Sequence, residues 1–133
     1  MSPADSVREF LARRGCPPHV VAGGLAGLLA HWESVVDEVD AVYRLGLDDY
    51  LDDMDARQLL EDAVAVAPPE ARQAIEPRLH EADQRMQRLV VAADRCLWGE
   101  EQAREHGWTP ETSWWYFTRP AGPGLELRED LGL

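Results

Sequence analysis

The chain has 133 residues, a length typical of one domain, and its 45% hydrophobic and 29% charged contents exclude a disordered protein. Its net charge of −12 disfavours nucleic acid and anionic membranes as partners and favours basic proteins or cations. The charge is uneven, because residues 33–62 hold eleven acids and two arginines, a net charge of −9.

The N-terminal region predicts one short helix and a link. A helix is expected over Pro3–Arg14, capped by Ser2 and ended by Gly15 in a left-handed conformation. Prolines 17 and 18 then require an extended link, and a helical turn restarts at Pro18. The pair Gly23-Gly24 predicts a bend or a close backbone approach.

The longest amphipathic pattern is Gly24–Leu45. Its apolar residues recur every three or four positions over about six turns, which predicts the central helix of the domain. The opposite face carries a charged stripe. That stripe consists of Glu33, Asp37, Asp40 and Arg44.

Two further helical regions follow. Leu47–Asp55 contains five aspartates, which favour caps over helix interiors, so we predict a short turn, a new cap at Asp53 or Asp55, and a helix over Ala56–Ala67. Prolines 68 and 69 separate it from Glu70–Leu97, the second long amphipathic pattern. Pro77 predicts a kink or a restart near Glu76.

The C-terminal third is less regular. We expect a short helix over Glu100–His106 closed by Gly107, a turn at residues 109–112, and an irregular or extended segment rich in tryptophan. The overall prediction is an all-α single-domain bundle of about four main helices over residues 1–120, with a loosely ordered tail at 121–133. The expected core residues are Leu28, Trp32, Val35, Val39, Leu60, Leu79, Met86 and Leu89.

The first candidate functional surface is acidic. We predict that Asp48, Asp49, Asp52 and Asp53 contact a basic partner. Glu33, Asp37 and Asp40 would support them if the two helices adjoin. The alternative is a solvated face that only keeps the protein soluble. A calcium loop is not indicated, because the turn glycine and the final glutamate of an EF-hand are missing.

The second candidate is aromatic. Six aromatic side chains fall within residues 98–117, and they predict either a lid packed on the end of the bundle or part of a ligand pocket. The candidate pocket residues are Trp108, Trp114, Trp115 and Arg119.

No metal, cofactor or catalytic residue is predicted. Cys16, His19, Cys96 and His106 are possible zinc ligands by type, but their spacing is not that of a zinc site. The sequence also lacks the motifs of a nucleophile elbow, a phosphate-binding glycine loop and a metalloprotease helix. Two cysteines do not indicate a disulfide framework, the first residues do not form a signal peptide, and no apolar run is long enough to span a bilayer. These features predict a cytoplasmic protein.

Two segments, YRLGLDDYLDDMDARQLL (Tyr43–Leu60) and CLWGEEQAREHGWTPETSWWYFTRP (Cys96–Pro120), resemble a group of small acidic bacterial proteins without a known activity. They cover about a third of the chain. In general character, small, helical and acidic, the chain is also similar to the immunity proteins that neutralise basic nuclease toxins. The combined expectation is a non-enzymatic protein that binds a basic protein partner. The alternative is a small-molecule-binding protein or an enzyme that uses the aromatic region.

Overall fold

The computed structural model describes residues 3–133, and in this range four long helices pack together beside a small two-stranded sheet. The predicted all-α bundle is therefore confirmed, while the predicted cap Ser2 lies outside the described residues. The elements are α1 (Pro3–Arg13), α2 (Pro18–Ala41), α3 (Leu47–Val66), α4 (Pro69–Leu89), β1 (Val90–Ala92), α5 (Glu100–His106), a single 3-10 turn (Trp114–Tyr116), β2 (Thr118–Pro120) and α6 (Leu125–Asp130).

Helix α2 is the centre of the bundle and packs against α1, α3 and α4. The predicted bend is confirmed at Gly24, whose φ of 58° and ψ of −153° interrupt the helical geometry. The helix ends at Ala41, earlier than the predicted Leu45, and Val42 follows with a φ of 149°. Tyr43, which the periodicity placed within the helix, lies in the following link with its side chain buried.

Helix α3 corrects the prediction for residues 47–67. One helix runs from Leu47 to Val66, without a turn or a new cap at Asp53 or Asp55. Its buried residues, Tyr50, Met54, Arg57 and Leu60 among them, recur at helical spacing across the predicted break. Tertiary packing of this continuous face thus outweighs the low helix propensity of aspartate.

Helix α4 is shorter than predicted at its C-terminal end. It continues through Pro77, so the predicted restart near Glu76 is wrong, and it ends at Leu89 rather than Leu97. Val90–Ala92 instead form β1, which pairs antiparallel with β2 so that Val90 faces Pro120 and Ala92 faces Thr118. β-branched valines fit a strand well, and a partner strand is available only in the folded chain.

The C-terminal segment folds back onto the bundle. The rings of Trp114 and Trp32 meet edge to face with centroids 6.4 Å apart. The predicted loose tail contains α6, whose Leu127 is fully buried. Gly124 begins this return, because its N–H donates to Tyr43 O and a Cβ there would lie 2.3 Å from the same oxygen.

The core contains most of the predicted residues. Leu28, Trp32, Val35, Val39, Leu60, Leu79 and Met86 are buried, and Leu89 is half-buried against the same core. Gly15 adopts the predicted left-handed conformation at the end of α1, and Gly107 closes α5 as predicted, with the same sign of φ. No helix within residues 3–133 combines the length and the apolar composition that crossing a bilayer requires.

Candidate functional site

Three of the four acids of α2 pair with arginines of α4. Glu33 pairs with Arg78, whose Nε lies 3.2 Å from Glu33 Oε2. Arg85 binds two acids at once, with Nη1 3.0 Å from Asp37 Oδ1 and Nη2 3.4 Å from Asp40 Oδ2. The three predicted supporting acids are thus part of an α2–α4 ion-pair network.

The predicted acids of α3 divide into two sets. Asp48, Asp49 and Asp52 are exposed and make no side-chain ion pair in the described part of the chain. Asp53 instead links α3 to α2 and the segment after it. Its Oδ2 accepts a hydrogen bond of 2.7 Å from the Tyr43 hydroxyl, and its Oδ1 lies 3.5 Å from His31 Nε2.

An acidic ridge runs along α3. At 100° per residue, Asp48, Asp52, Asp55 and Asp62 project from one side of the helix over about 21 Å of its length. Asp55 and Asp62 were not among the predicted contact residues. They lie on the same side as Asp48 only because α3 is one continuous helix, whereas the sequence predicted a break near residue 55.

The ridge ends in a cleft of about 910 Å³, which we call the acid-aromatic cleft. This volume is within the range of small-ligand sites. Its walls come from α3, α5 and the segments on either side of α5. The lining residues are Arg14, Asp55, Gln58, Leu59, Glu61, Asp62, Trp98, Gln102, His106, Gly107, Trp108, Thr112, Ser113 and Tyr116.

Asp55 joins the acidic ridge to the aromatic region. Its Oδ1 accepts a hydrogen bond of 2.9 Å from the Trp98 indole N–H and one of 2.6 Å from the Tyr116 hydroxyl. Burial and the adjacent Asp55 both raise the pKa of Tyr116, so its hydroxyl stays protonated and remains a donor at neutral pH. The position of Trp98 at the cleft is therefore set by a carboxylate on the ridge.

A stack of aromatic rings forms another part of the cleft wall. Trp108 lies between His106 and Tyr116, with ring centroids 4.5 Å and 4.0 Å away. Tyr116 is buried, Trp108 is half-buried, and Trp98 is 39% exposed. Trp98 is thus the most exposed of the tryptophan and tyrosine rings that line the cleft.

Polar side chains connect the base of the cleft. The buried Ser113 hydroxyl donates to Gln58 Oε1, and Gln58 Nε2 donates to Asp62 Oδ1 at 3.0 Å. Arg14 Nη2 lies 3.2 Å from Asp62 Oδ2. Because Ser113 donates to an amide oxygen rather than to a base, this chain of hydrogen bonds orders the wall and does not activate a nucleophile.

Of the four predicted pocket residues, only Trp108 lines this cleft. Trp115 is buried, and Trp114 packs between Trp115 and Trp32. Arg119 is half-buried in β2, donates to Pro120 O, and borders a separate hollow beside β1. The structure instead places Trp98 in the cleft. Its indole N–H donates to Asp55 of α3, a residue from a distant part of the sequence.

Arg57 is a buried charge that the sequence analysis missed. It is 3% exposed, its Nη2 lies 2.8 Å from Asp83 Oδ2, and its Nη1 lies 3.0 Å from Glu61 Oε1. The sequence did contain a signal for its burial. Arg57 stands three residues after Met54, at a position where the helical pattern of α3 calls for an apolar residue. Through Glu61 this buried network reaches the acid-aromatic cleft.

The four possible zinc ligands are distributed over different parts of the fold. Cys16 is half-buried in the link between α1 and α2, Cys96 is buried before α5, and His106 stacks on Trp108. Among the described residues, no three His, Cys, Asp or Glu side chains are grouped as a metal site.

The fold and the cleft define a small helical protein with an acidic cleft that has aromatic walls. Comparison with known proteins does not extend this description: no family model matches the chain, and neither a curated protein nor a solved structure is significantly similar to it. Functional inference therefore depends on the geometry and charge of the site.

Proposed function

We propose that this is a non-enzymatic binding protein that uses the acidic ridge of α3 to bind a basic protein partner. One observation carries the proposal: an exposed tryptophan, Trp98, is hydrogen-bonded to Asp55 in the middle of that ridge. Exposed, rigidly held tryptophans are frequent energetic centres of protein interfaces, and surrounding charges steer the partner.

The distribution of ion pairs supports the same choice of surface. Three acids of α2 pair with Arg78 and Arg85, whereas Asp48, Asp49 and Asp52 are exposed and lack such partners in the described chain. Of the two predicted sets of acids, the set on α3 is therefore the one that keeps exposed carboxylates without an arginine partner. An acidic, cytoplasmic bacterial protein of this kind is comparable in type to an immunity protein that inhibits a basic nuclease.

The experiment begins with capture from the native host at low salt, followed by identification and purification of the captured partner. The test variant is Asp48→Asn/Asp49→Asn/Asp52→Asn. The matched control, Glu9→Gln/Glu70→Gln/Glu81→Gln, removes three exposed acids from α1 and α4, so both variants have the same net charge. Association and dissociation rates are then measured by surface plasmon resonance at several salt concentrations.

We expect the association rate of the α3 variant to fall roughly tenfold more than that of the control, with a weaker salt dependence. Trp98→Ala should instead raise the dissociation rate, because a central aromatic contact holds the complex together. Equal losses in the two charge variants would show that only net charge matters and would contradict a specific role for α3.

A second candidate function is small-molecule binding or catalysis in the acid-aromatic cleft. The observation that favours it is the cleft itself, which reaches Trp108 and has Asp55, Gln58 and Ser113 converging on it. Retention of partner binding by the α3 and Trp98 variants, together with a small ligand co-purifying with the protein, would favour this candidate.

A further inference from the structure

The acid-aromatic cleft has the chemistry of a guanidinium site, and we infer that it receives an arginine side chain of the basic partner. This inference rests on the proposed function, because it assigns one contact within that interface. It adds the ligand group, the acceptor atom and the stacking surface.

Asp55 has an available acceptor oxygen. Trp98 and Tyr116 both donate to Oδ1 of Asp55, and in the described part of the chain Oδ2 receives no side-chain hydrogen bond. Two donors on one oxygen also fix the carboxylate plane. Asp55 lines the cleft, and its Oδ2 is thus the pre-oriented oxygen left to accept from an incoming N–H group.

The Trp98 ring lies beside that acceptor. Trp98 is 39% exposed while its indole N–H is held by Asp55, so the ring is oriented before any ligand arrives. A planar guanidinium can stack on an indole face and donate to an adjacent carboxylate at the same time. An ammonium group has no such planar fork.

The cleft is acidic. Of its three lining carboxylates, Asp62 binds Arg14 and Glu61 binds the buried Arg57, so Asp55 is the one that has no arginine partner among the described residues. One further cation therefore enters a net negative site. Arg14 also shows that a guanidinium is accepted at this wall, since its Nη2 lies 3.2 Å from Asp62 Oδ2.

The protein already contains a buried guanidinium held by a tryptophan and an aspartate. Arg57 lies 4.3 Å from the Trp115 centroid, and its Nε and Nη2 bind the two oxygens of Asp83. Tryptophan and aspartate already hold a guanidinium there. The cleft presents the corresponding pair, Trp98 and Asp55, on the surface.

The test is an NMR titration that follows the indole N–H resonances of Trp98 and Trp108. The probes are arginine amide, lysine amide and citrulline amide, of which citrulline has the shape of arginine without its charge. We expect saturable shifts of both resonances with arginine amide, with an affinity roughly threefold or more above that of either other probe. Equal responses to citrulline amide or to lysine amide would overturn the assignment of a guanidinium.

Two variants locate the site. Asp55→Asn should weaken arginine amide binding roughly threefold, whereas Asp48→Asn, at the other end of the ridge, should change it little. If Asp55→Asn does not fold, Trp98→Phe replaces it, with the Trp108 indole as the reporter. Unchanged arginine binding in the folded variant would contradict the inference.

A competition experiment between arginine amide and the purified partner shows whether the guanidinium in the cleft comes from the partner. If arginine amide competes with the partner for the wild-type cleft, the partner's arginine occupies it. If arginine amide binds without competing, the cleft takes a free organic cation and the inference fails as stated. If arginine amide does not bind while the α3 triple variant still loses the partner, the cleft assignment fails and the proposed function stands.

Discussion

Arg57 lies over the ring of Trp115, with its Cζ 4.3 Å from the ring centroid, and this contact joins α3 to the C-terminal segment. The same guanidinium binds Asp83 of α4 through Nε at 3.1 Å and Nη2 at 2.8 Å. Asp83 Oδ1 also accepts the indole N–H of Trp32 from α2 at 2.9 Å. One buried ion pair therefore connects α2, α3, α4 and the aromatic segment.

Arg57→Leu should lower the free energy of unfolding by about 3 kcal/mol, because it leaves Asp83 without its charge partner. Arg57→Lys should cost less, since it retains the charge but loses the stacking and the paired hydrogen bonds. Urea denaturation measures both. Arg57→Leu/Asp83→Leu should lose less than the sum of the two single changes, and strict additivity would argue against coupling.

The two adjacent glycines of α2 provide a matched pair. Gly24→Ala should destabilise the protein by about 1–3 kcal/mol, because its φ of 58° and ψ of −153° suit only glycine. Gly23→Ala should be neutral or stabilise by up to about 1 kcal/mol, since Gly23 is helical and a Cβ there meets open space. Thermal and urea denaturation measure the stability of both variants. Equal effects would show that the fold does not need the positive φ at position 24.

Helix α6 can be tested with two leucines. Leu127 is fully buried and Leu125 is 74% exposed. Leu127→Ala should therefore lower the free energy of unfolding by about 2–5 kcal/mol, whereas Leu125→Ala should have little effect. If neither change alters the urea midpoint, residues 121–133 behave as the loose tail that the sequence predicts.

His31 makes a pH-dependent contribution. Its close contact with the Asp53 carboxylate raises its pKa above the ordinary value of 6.5, and Glu38 adds to the effect. Since the folded state favours the charged imidazole, this stability is fully present below the unfolded pKa and is lost as pH rises through the folded pKa. Neighbouring Tyr43 stays neutral here, because burial raises its pKa.

His31→Gln should accordingly lower the melting temperature most at about pH 5.5 and least at about pH 8.5. Thermal melts across this range measure the difference from the parent. In an Asp53→Asn background the same substitution should lose most of its pH dependence. A constant difference in the parent background would rule out the His31–Asp53 contact as its source.

Much of the helical layout follows from local sequence. Apolar spacing identified α2 and most of α4, prolines 68 and 69 marked the boundary between α3 and α4, and Gly15 and Gly107 ended their helices. These signals are local, because a helix depends on residues three or four positions apart. The misassigned boundaries at residues 53–56 and 89–97 are places where packing or strand pairing outweighed that local preference.

The candidate site shows the same division more sharply. The sequence by itself determined the negative charge of residues 33–62 and the aromatic content of residues 98–117. Only the tertiary structure decided that Asp55 would bind Trp98 and Tyr116, that arginines of α4 would pair with three acids of α2, and that Arg57 would be buried against Trp115. Asp55 and Tyr116 are 61 positions apart in the chain. No periodicity relates side chains at that distance, and their contact arises from the way the bundle closes.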